Sequence, residues 1–318
     1  MLVNKNVFVT GATGFIGASL VKRLISQGSN VFCLSRSSSS YNVNCTKLYV
    51  GDVCDYSLMT EIISTNDIEH IVHLAANAIV KNSARDPMNA YNTNVMGTVS
   101  LLEAARNVGK CKKIIIASSD KAYGDHENLP YTEDMPLLTR NTYDTSKACC
   151  DLIARTYAHN YNMNVLVTRC SNVYGPGDPN HSRIIPNTIL RINNNISPML
   201  YSDVAEMYRE FVYIDDVIDA YELLLGSDAT TNGEAFNIGG AGPIRVTNLV
   251  ELVCQLMNVN LKTQIVQREI TFKEIAKQYV DSSKLTSYTG WLQKTTLEDG
   301  LSKTIQWYKE ILNNARKT

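Results

Sequence analysis

The stretch Gly11-Ala12-Thr13-Gly14-Phe15-Ile16-Gly17 follows a short β-branched run, Asn6–Thr10, and opens a helical pattern over Ala18–Gln27. Glycines at this spacing permit a tight turn, close backbone approach to a ligand and close helix–strand packing. A helix start adds free N–H groups and the positive end of the helix dipole, a combination that holds phosphate. Gly11, Thr13, Gly14, Phe15, Ile16 and Gly17 are therefore read as a pyrophosphate cradle for a dinucleotide. A purely structural turn is the weaker reading, because the motif sits between a strand and a helix near the start of a βαβ unit.

Outward from this turn, short β-branched runs alternate with helical patterns. Strands are expected at Asn30–Leu34, Lys47–Val50, His70–Leu74, Lys113–Ser118 and Asn164–Thr168, and helices at Leu58–Thr65, Val95–Asn107 and Ser146–Asn160. This alternation predicts an α/β fold with a parallel sheet covered on both faces. The apolar run Lys113–Ile116 suits a strand buried on both sides. After about Arg169 the rhythm breaks. Tyr174–His181 reads as loop and Pro186–Asn193 as helix, while a strand at Glu210–Tyr213 and a helix at Val217–Leu225 are expected to return to the sheet. Further helices are read at Thr247–Leu256 and Leu297–Asn313, the latter inside an amphipathic stretch, Lys294–Lys317, with Trp307 facing inward. The serines Ser37–Ser40 read as loop. With no linker in view, the second lobe is expected to be interleaved. Residues 1–168 with about 211–238 would bind the dinucleotide, and about 169–210 with 239–318 would bind substrate.

Composition narrows the class of partner. The chain has 318 residues, enough for about two domains at about 150 residues each. Its 30 basic and 31 acidic side chains give a net charge of −1, so a nucleic-acid or anionic-membrane partner is not expected. No apolar run approaches membrane-spanning length. The 8 cysteines form no CxxC pair and no His pair has metal-ligand spacing, so neither a disulfide framework nor a metal site is expected. A strand opening by Asn6 leaves no room for a targeting peptide, and cytoplasm is the expected location. His70, His126, His159 and His181 have no ordered partners in sequence, and His73 reads as a packed strand residue.

The end of the second strand bears on the cofactor. An acid there would bind the ribose 2′-hydroxyl of NAD, whereas this chain has Ser35 and Arg36, whose hydroxyl and forked donors suit the 2′-phosphate of NADP. NADP is the preferred reading and NAD the alternative. Asp52, beside Val53, can accept from the adenine amino group, and Leu74, Ala75 and Ala76 let the cofactor lie close.

Tyr143-Asp144-Thr145-Ser146-Lys147 puts a phenol and an ammonium four residues apart, on one face at a helix start. A neighbouring ammonium and a bound nicotinamide cation both favour the phenolate, so Tyr143 can take a proton from a substrate hydroxyl that Ser119 holds.

Taken together, these segments resemble the extended short-chain dehydrogenase/reductases of the nucleotide-sugar epimerase/dehydratase group, over essentially the whole length. The likeness rests on Gly11–Gly17, Gly51–Val53, His73–Ala76, Asn94–Gly97, the serine at the strand end, Tyr143 with Lys147, and Arg169–Gly177. Arg209–Val217, Phe236–Gly240 and Asp281–Lys284 extend it. The resemblance implies a Rossmann-type doubly wound parallel sheet that binds NAD(P), tightly held and recycled, and a smaller lobe that binds a nucleoside-diphosphate hexose. It places Asn172 and Arg209 on the diphosphate, Arg183 as a weaker candidate for the same anion, and Cys170 beside the cofactor. It also implies a homodimer formed through the helices at about Val95–Asn107 and Ser146–Asn160.

Asp120 and Lys121, directly after Ser119, resemble the acid–base pair of the 4,6-dehydratases, in particular the CDP-glucose type and the inverting UDP-N-acetylglucosamine type. Dehydration needs such a pair. Once C4 is oxidised, neutral Lys121 can take the acidified C5 proton while Asp120, as the acid, protonates the departing C6 hydroxyl. The competing reading is an inert Asp120–Lys121 ion pair. Two other readings stay open: a 4-epimerase, suggested by the continuation Asn172-Val173-Tyr174-Gly175, and a non-catalytic NAD(P)-sensing protein. The nucleotide and the hexose stay open too. The His and Asp that commonly follow the HxAA element in the dTDP-glucose type are missing from Asn77–Ser83.

Overall fold

The structure is a computed structural model that describes residues 2–37, 43–227, 230–268 and 275–315. In chain order its elements are β1 (Asn6–Thr10), α1 (Phe15–Ser26), β2 (Asn30–Ser35), β3 (Lys47–Val50), α2 (Tyr56–Thr65), β4 (His70–His73), α3 (Val80–Arg85) and α4 (Pro87–Tyr91). A π-helical turn (Asn92–Met96) runs into α5 (Gly97–Val108), then come β5 (Lys113–Ala117), a 3-10 turn (Asp120–Tyr123), α6 (Thr142–Tyr161), β6 (Val165–Cys170) and β7 (Asn172–Tyr174). The remainder comprises α7 (Ile184–Asn193), β8 (Met199–Tyr201), α8 (Ser202–Ala205), β9 (Tyr208–Tyr213), α9 (Ile214–Gly226), β10 (Ala235–Ile238), β11 (Pro243–Arg245), α10 (Val246–Leu256), β12 (Gln264–Val266), β13 (Lys277–Gln278), α11 (Ser283–Thr289) and α12 (Leu297–Ala315).

Seven strands form one parallel sheet in the order β10-β6-β5-β4-β1-β2-β3. Alternation along each strand sends successive side chains to opposite faces. Val7, Val9, Val31, Val72, Ile115 and Leu166 pack in a core that includes Leu20 and Leu24 of α1 and Ile218 and Tyr221 of α9. Phe8, Ile71, Ile114, Ile116, Val165 and Val167 pack with Ile62 of α2, Leu101 of α5 and Ala154 of α6. Burying each of these aliphatic side chains contributes about 1.5–3 kcal/mol. The strand order reverses between β1 and β4, and the crevice beyond their carboxyl ends is where such sheets bind ligands.

A second sheet, β11-β9-β13 with β7 also on β9, stands beside the first, and β8 pairs with β12 in a two-stranded ribbon. The strand expected at Glu210–Tyr213 forms as β9 but does not return to the large sheet. It centres the second sheet, and β10, not read as a strand from sequence, is the segment that returns. Helix α6 starts at Thr142, four residues before the expected Ser146, because the Asn141 side chain caps it by accepting from the Asp144 N–H at 3.0 Å. The reading of Ser37–Ser40 as loop falls largely on Ser38–Ser40, which lie outside the described residues, as do Arg316 and Lys317 of the terminal stretch. Trp307 is half-buried against the core, as its expected inward face requires. No helix among the described residues is long and apolar enough to cross a membrane.

Candidate active site

Every residue assigned from sequence to cofactor, substrate or proton transfer borders one cavity of about 660 Å³ at the carboxyl ends of β1, β2, β4, β5 and β6. The glycine turn is built by exclusion. A Cβ on Gly11, whose φ is +66°, would stand 2.7 Å from the Leu74 carbonyl carbon and the Ala75 nitrogen. One on Gly17 would lie 2.1 Å from the Gly11 oxygen. Gly14 caps α1 with no side-chain acceptor, leaving the first N–H groups of the helix without side-chain partners. Those donors fit a pyrophosphate, and the two glycines let the backbone pack closely enough to form the turn that presents them. Thr13, Phe15 and Ile16 complete the turn on the cavity wall.

Beyond the turn, the Ser35 hydroxyl donates to the Ser37 carbonyl at 3.0 Å, and the exposed Arg36 reaches the cavity rim. Asp52 accepts from the Cys54 N–H at 2.9 Å and lies on the wall next to Val53. Leu74, Ala75 and Ala76 line the crevice between β1 and β4. His73 is buried and bound on both ring nitrogens, to Thr10 Oγ1 at 2.8 Å and Thr98 Oγ1 at 3.2 Å. Burial holds its imidazole neutral, down to about 3, so it packs and does not titrate near neutrality. Cys170 ends β6 on the cavity, where burial pushes its thiol up to about 12.

Ser118, Ser119 and Asp120 leave the end of β5, and Tyr143 and Lys147 meet them from α6. Ser118 Oγ donates to the Lys147 carbonyl at 3.1 Å, and Lys147 Nζ donates to the Ala117 carbonyl at 2.8 Å. Burial lowers the Lys147 ammonium below its usual range. Burial likewise raises the Tyr143 phenol; the Asp144 carboxylate adds to that shift, and Arg183 and the Ser119 hydroxyl oppose it. Arg183 is thus a cation that offsets burial at Tyr143.

Asp120 is almost fully buried. Its Oδ1 accepts from Ser119 Oγ at 3.1 Å, and its Oδ2 has no partner among the described residues. Burial raises this carboxyl toward its acid form, against the pull of Lys121, Ser119 and Arg209. Lys121 Nζ donates to the side-chain oxygen of Gln278 at 3.3 Å, and the described residues contain no Asp120–Lys121 ion pair. No direct Asp120–Lys121 contact among the described residues supports the inert-ion-pair reading, although the Lys121 charge still acts on Asp120.

On the far wall, Asn172 Nδ2 donates to the Glu210 carbonyl at 3.0 Å. Arg209 is buried and donates to the Tyr208 carbonyl at 2.9 Å, and its charge reaches Asp120. Arg183 pairs with Asp178 at 3.0 Å and lies 6.0 Å from the Phe15 ring centre. Three contributors escaped the sequence reading. Asn94, in the π-helical turn, donates to Ser146 Oγ at 2.8 Å and accepts from the Asn77 N–H at 2.7 Å, bracing α6. Gln278 holds Lys121. Glu210 accepts from the Val280 N–H at 3.1 Å, and burial lifts its carboxyl to about 7. Asn94 and Glu210 lay inside quoted motifs, whereas nothing local marked Gln278. Among the described residues no cluster of His, Cys, Asp and Glu can hold a metal ion.

Known proteins resemble this chain over nearly its whole length. The family profile described as GDP-mannose 4,6 dehydratase matches residues 8–304. The dTDP-glucose 4,6-dehydratase 1 of Escherichia coli K12 is 31% identical over 95% of this chain and 92% of its own length. A trifunctional UDP-glucose 4,6-dehydratase/UDP-4-keto-6-deoxy-D-glucose 3,5-epimerase/UDP-4-keto-L-rhamnose-reductase of Arabidopsis thaliana is 29% identical over 96% of the chain, which spans 47% of that protein. Among solved structures, the UDP-glucose 4-epimerase of Thermotoga maritima with UDP-glucose superposes with a TM-score of 0.89 at 30% identity, covering 96% of this chain and 99% of that one. The dTDP-glucose 4,6-dehydratase of Bacillus anthracis in complex with NAD gives 0.85 at 28% identity, covering 96% and 97%. NAD, the alternative given beside NADP, is the cofactor that fits this neighbour.

Proposed function

The chain belongs to the GDP-mannose 4,6-dehydratase family, and from that premise we propose that it is a nucleoside-diphosphate-hexose 4,6-dehydratase. Membership makes it an enzyme of the nucleotide-sugar dehydratase/epimerase kind that uses NAD(P). The observation that carries the finer reading is Asp120, a buried carboxyl bordering the cavity whose Oδ2 has no partner among the described residues, favoured as the acid and not ion-paired to the lysine beside it.

NAD(P), when bound, supplies the hydride acceptor for hexose C4 and the hydride that returns to C6. The cradle of Gly11–Gly17 would hold its pyrophosphate, with Ser35, Arg36 and Asp52 toward the adenosine and Leu74–Ala76, Lys147 and Cys170 along its length. Asn172 and Arg209, with Arg183, would meet the substrate diphosphate by charge-assisted bonds. Ser119 orients the C4 hydroxyl and Tyr143 takes its proton. Lys121 then takes the C5 proton, the electron pair of that C–H bond enters conjugation with the C4 ketone, and the C6–O bond breaks. Asp120 gives its proton to the departing oxygen, which leaves as water. C5 later regains a proton from Lys121, so the products are water and a 4-keto-6-deoxy sugar. The proposal keeps the division into a cofactor part, residues 1–168 with about 211–238, and a substrate lobe.

A second reading, a 4-epimerase, is supported by the TM-score of 0.89 to the Thermotoga enzyme. Incubation in heavy water with UDP-glucose, dTDP-glucose, CDP-glucose, GDP-mannose and UDP-N-acetylglucosamine separates the two. Dehydration gives a 4-keto-6-deoxy product with deuterium at C5. A C4 epimer unlabelled at C5 sinks the dehydratase. Lys121→Met should abolish C5 exchange and leave slow C4 oxidation.

A further inference from the structure

Gln278 lies outside the cavity wall, yet it touches the residue on that wall assigned to take the C5 proton. It sits on β13, in register with Arg209 of β9, and is fully buried. Its side-chain oxygen accepts from Lys121 Nζ at 3.3 Å. Lys121 borders the cavity while Gln278 does not, so the carboxamide stands behind the amine. Its Nε2 has no partner among the described residues, and neither has the Asp120 Oδ2. A buried donor left unpaired is costly, so a purely structural role would be better filled by an apolar side chain of the same shape.

The chemistry of the acceptor matters here. A carbonyl oxygen can bind an ammonium or a neutral amine, since both carry N–H donors. A carboxylate in its place would stabilise the ammonium alone and raise its pKa. The charged and titratable groups around the site are Asp120 on the same turn, Arg209 and Glu210 on β9, Tyr143 on α6, Cys170 at the end of β6 and the buried Tyr131, which act on or beside Asp120. We propose that Gln278 is a positioning residue for proton transfer, holding Lys121 Nζ toward the substrate carbon without giving it a counter-charge. This rests on the reading of Lys121 as the base.

The test uses the holoenzyme and whichever of the five sugar nucleotides named above turns over. Gln278→Glu should move the acidic limb of the kcat profile up by about one pH unit, so that the rate near neutrality falls about tenfold and recovers in alkali. Gln278→Met keeps the shape and removes the acceptor. It should lower kcat about tenfold across the whole pH range and leave KM within about twofold. In protein carrying 13C-labelled lysine, with the Lys121 signal identified by its loss in Lys121→Met, the amine should titrate at higher pH in Gln278→Glu than in wild type. A residue that merely packs would lower the melting temperature and leave both titrations in place. If Gln278→Glu fails to fold, Gln278→Met decides. Wild-type kcat in Gln278→Met, or an unmoved profile in folded Gln278→Glu, overturns the proposal. Should Lys121→Met retain C5 exchange, the base assignment itself falls. Should Lys121→Met lose exchange while both Gln278 variants behave as wild type, only the role of Gln278 falls.

Discussion

The Ser119 hydroxyl stands 3.1 Å from the Asp120 carboxyl, Oγ to Oδ1, and both residues are buried just beyond the end of β5. The hydroxyl proposed to orient C4 and the acid proposed to act at C6 are therefore fixed to each other before substrate arrives. Asp120→Asn keeps the shape and removes the transferable proton. It should lower elimination about 10²–10³-fold while C4 oxidation persists, seen as reduction of the bound nicotinamide without 4-keto-6-deoxy product. Elimination at the wild-type rate would remove Asp120 from the mechanism.

Glu210 predicts how stability depends on pH. Its folded pKa is raised to about 7 by burial, while an unfolded glutamate titrates near about 4.3. Between those values the native state holds a proton that the unfolded chain has lost, so stability falls as pH rises through this window and the loss is complete above about 7. The group should make the protein up to about 3 kcal/mol less stable at about pH 8 than at about pH 5. Glu210→Gln should flatten that decline in denaturant unfolding at the two pH values. An equal decline in both proteins would show that Glu210 ionises freely.

Arg169 ties α6 to the 3-10 turn that carries Asp120 and Lys121. Its guanidinium meets Asp151 of α6 at 2.7 and 3.0 Å with both side chains fully buried, and it donates to the Tyr123 hydroxyl, two residues past Lys121, at 2.8 Å. Arg169→Met leaves an uncompensated buried carboxylate and should cost about 3–5 kcal/mol in urea unfolding. Arg169→Met with Asp151→Leu should recover part of that loss. A single-mutant cost below about 1 kcal/mol would contradict a tightly bound pair.

Gly17 tests the cradle. A Cβ there would lie 2.1 Å from the Gly11 oxygen, a contact only a backbone shift can relieve. Gly17→Ala should weaken NAD(P) binding by at least about tenfold in calorimetric titration, or about 1.4 kcal/mol. Unchanged affinity would place the pyrophosphate elsewhere.

What could be read from sequence followed the range of the forces involved. The glycine turn, the apolar run of β5 and the Tyr143–Lys147 spacing each reside within one element, and pattern alone exposes them. The partnership of Lys121 with Gln278 joins residues 157 apart, and it exists only because β13 pairs with β9. Registry between distant strands leaves no periodic trace. β9 was visible as a strand, but its choice of sheet depends on β7, β11 and β13, each three residues or fewer. The early start of α6 hung on one capping side chain, Asn141.

Ribosomes deliver the chain in order, and the edge of the large sheet arrives late. β6 ends at Cys170, whereas its outer neighbour β10 begins at Ala235, after β7, β8 and β9 have been made. Until then the outer row of β6, including the Val167 N–H that finally donates to the Glu234 carbonyl at 3.0 Å, has no strand to pair with. A nascent chain, or one truncated before Ala235, thus carries an open parallel edge next to a nearly finished core. Such an edge invites pairing with another molecule until β10 covers it and leaves a strand of only 4 residues as the new edge of the sheet.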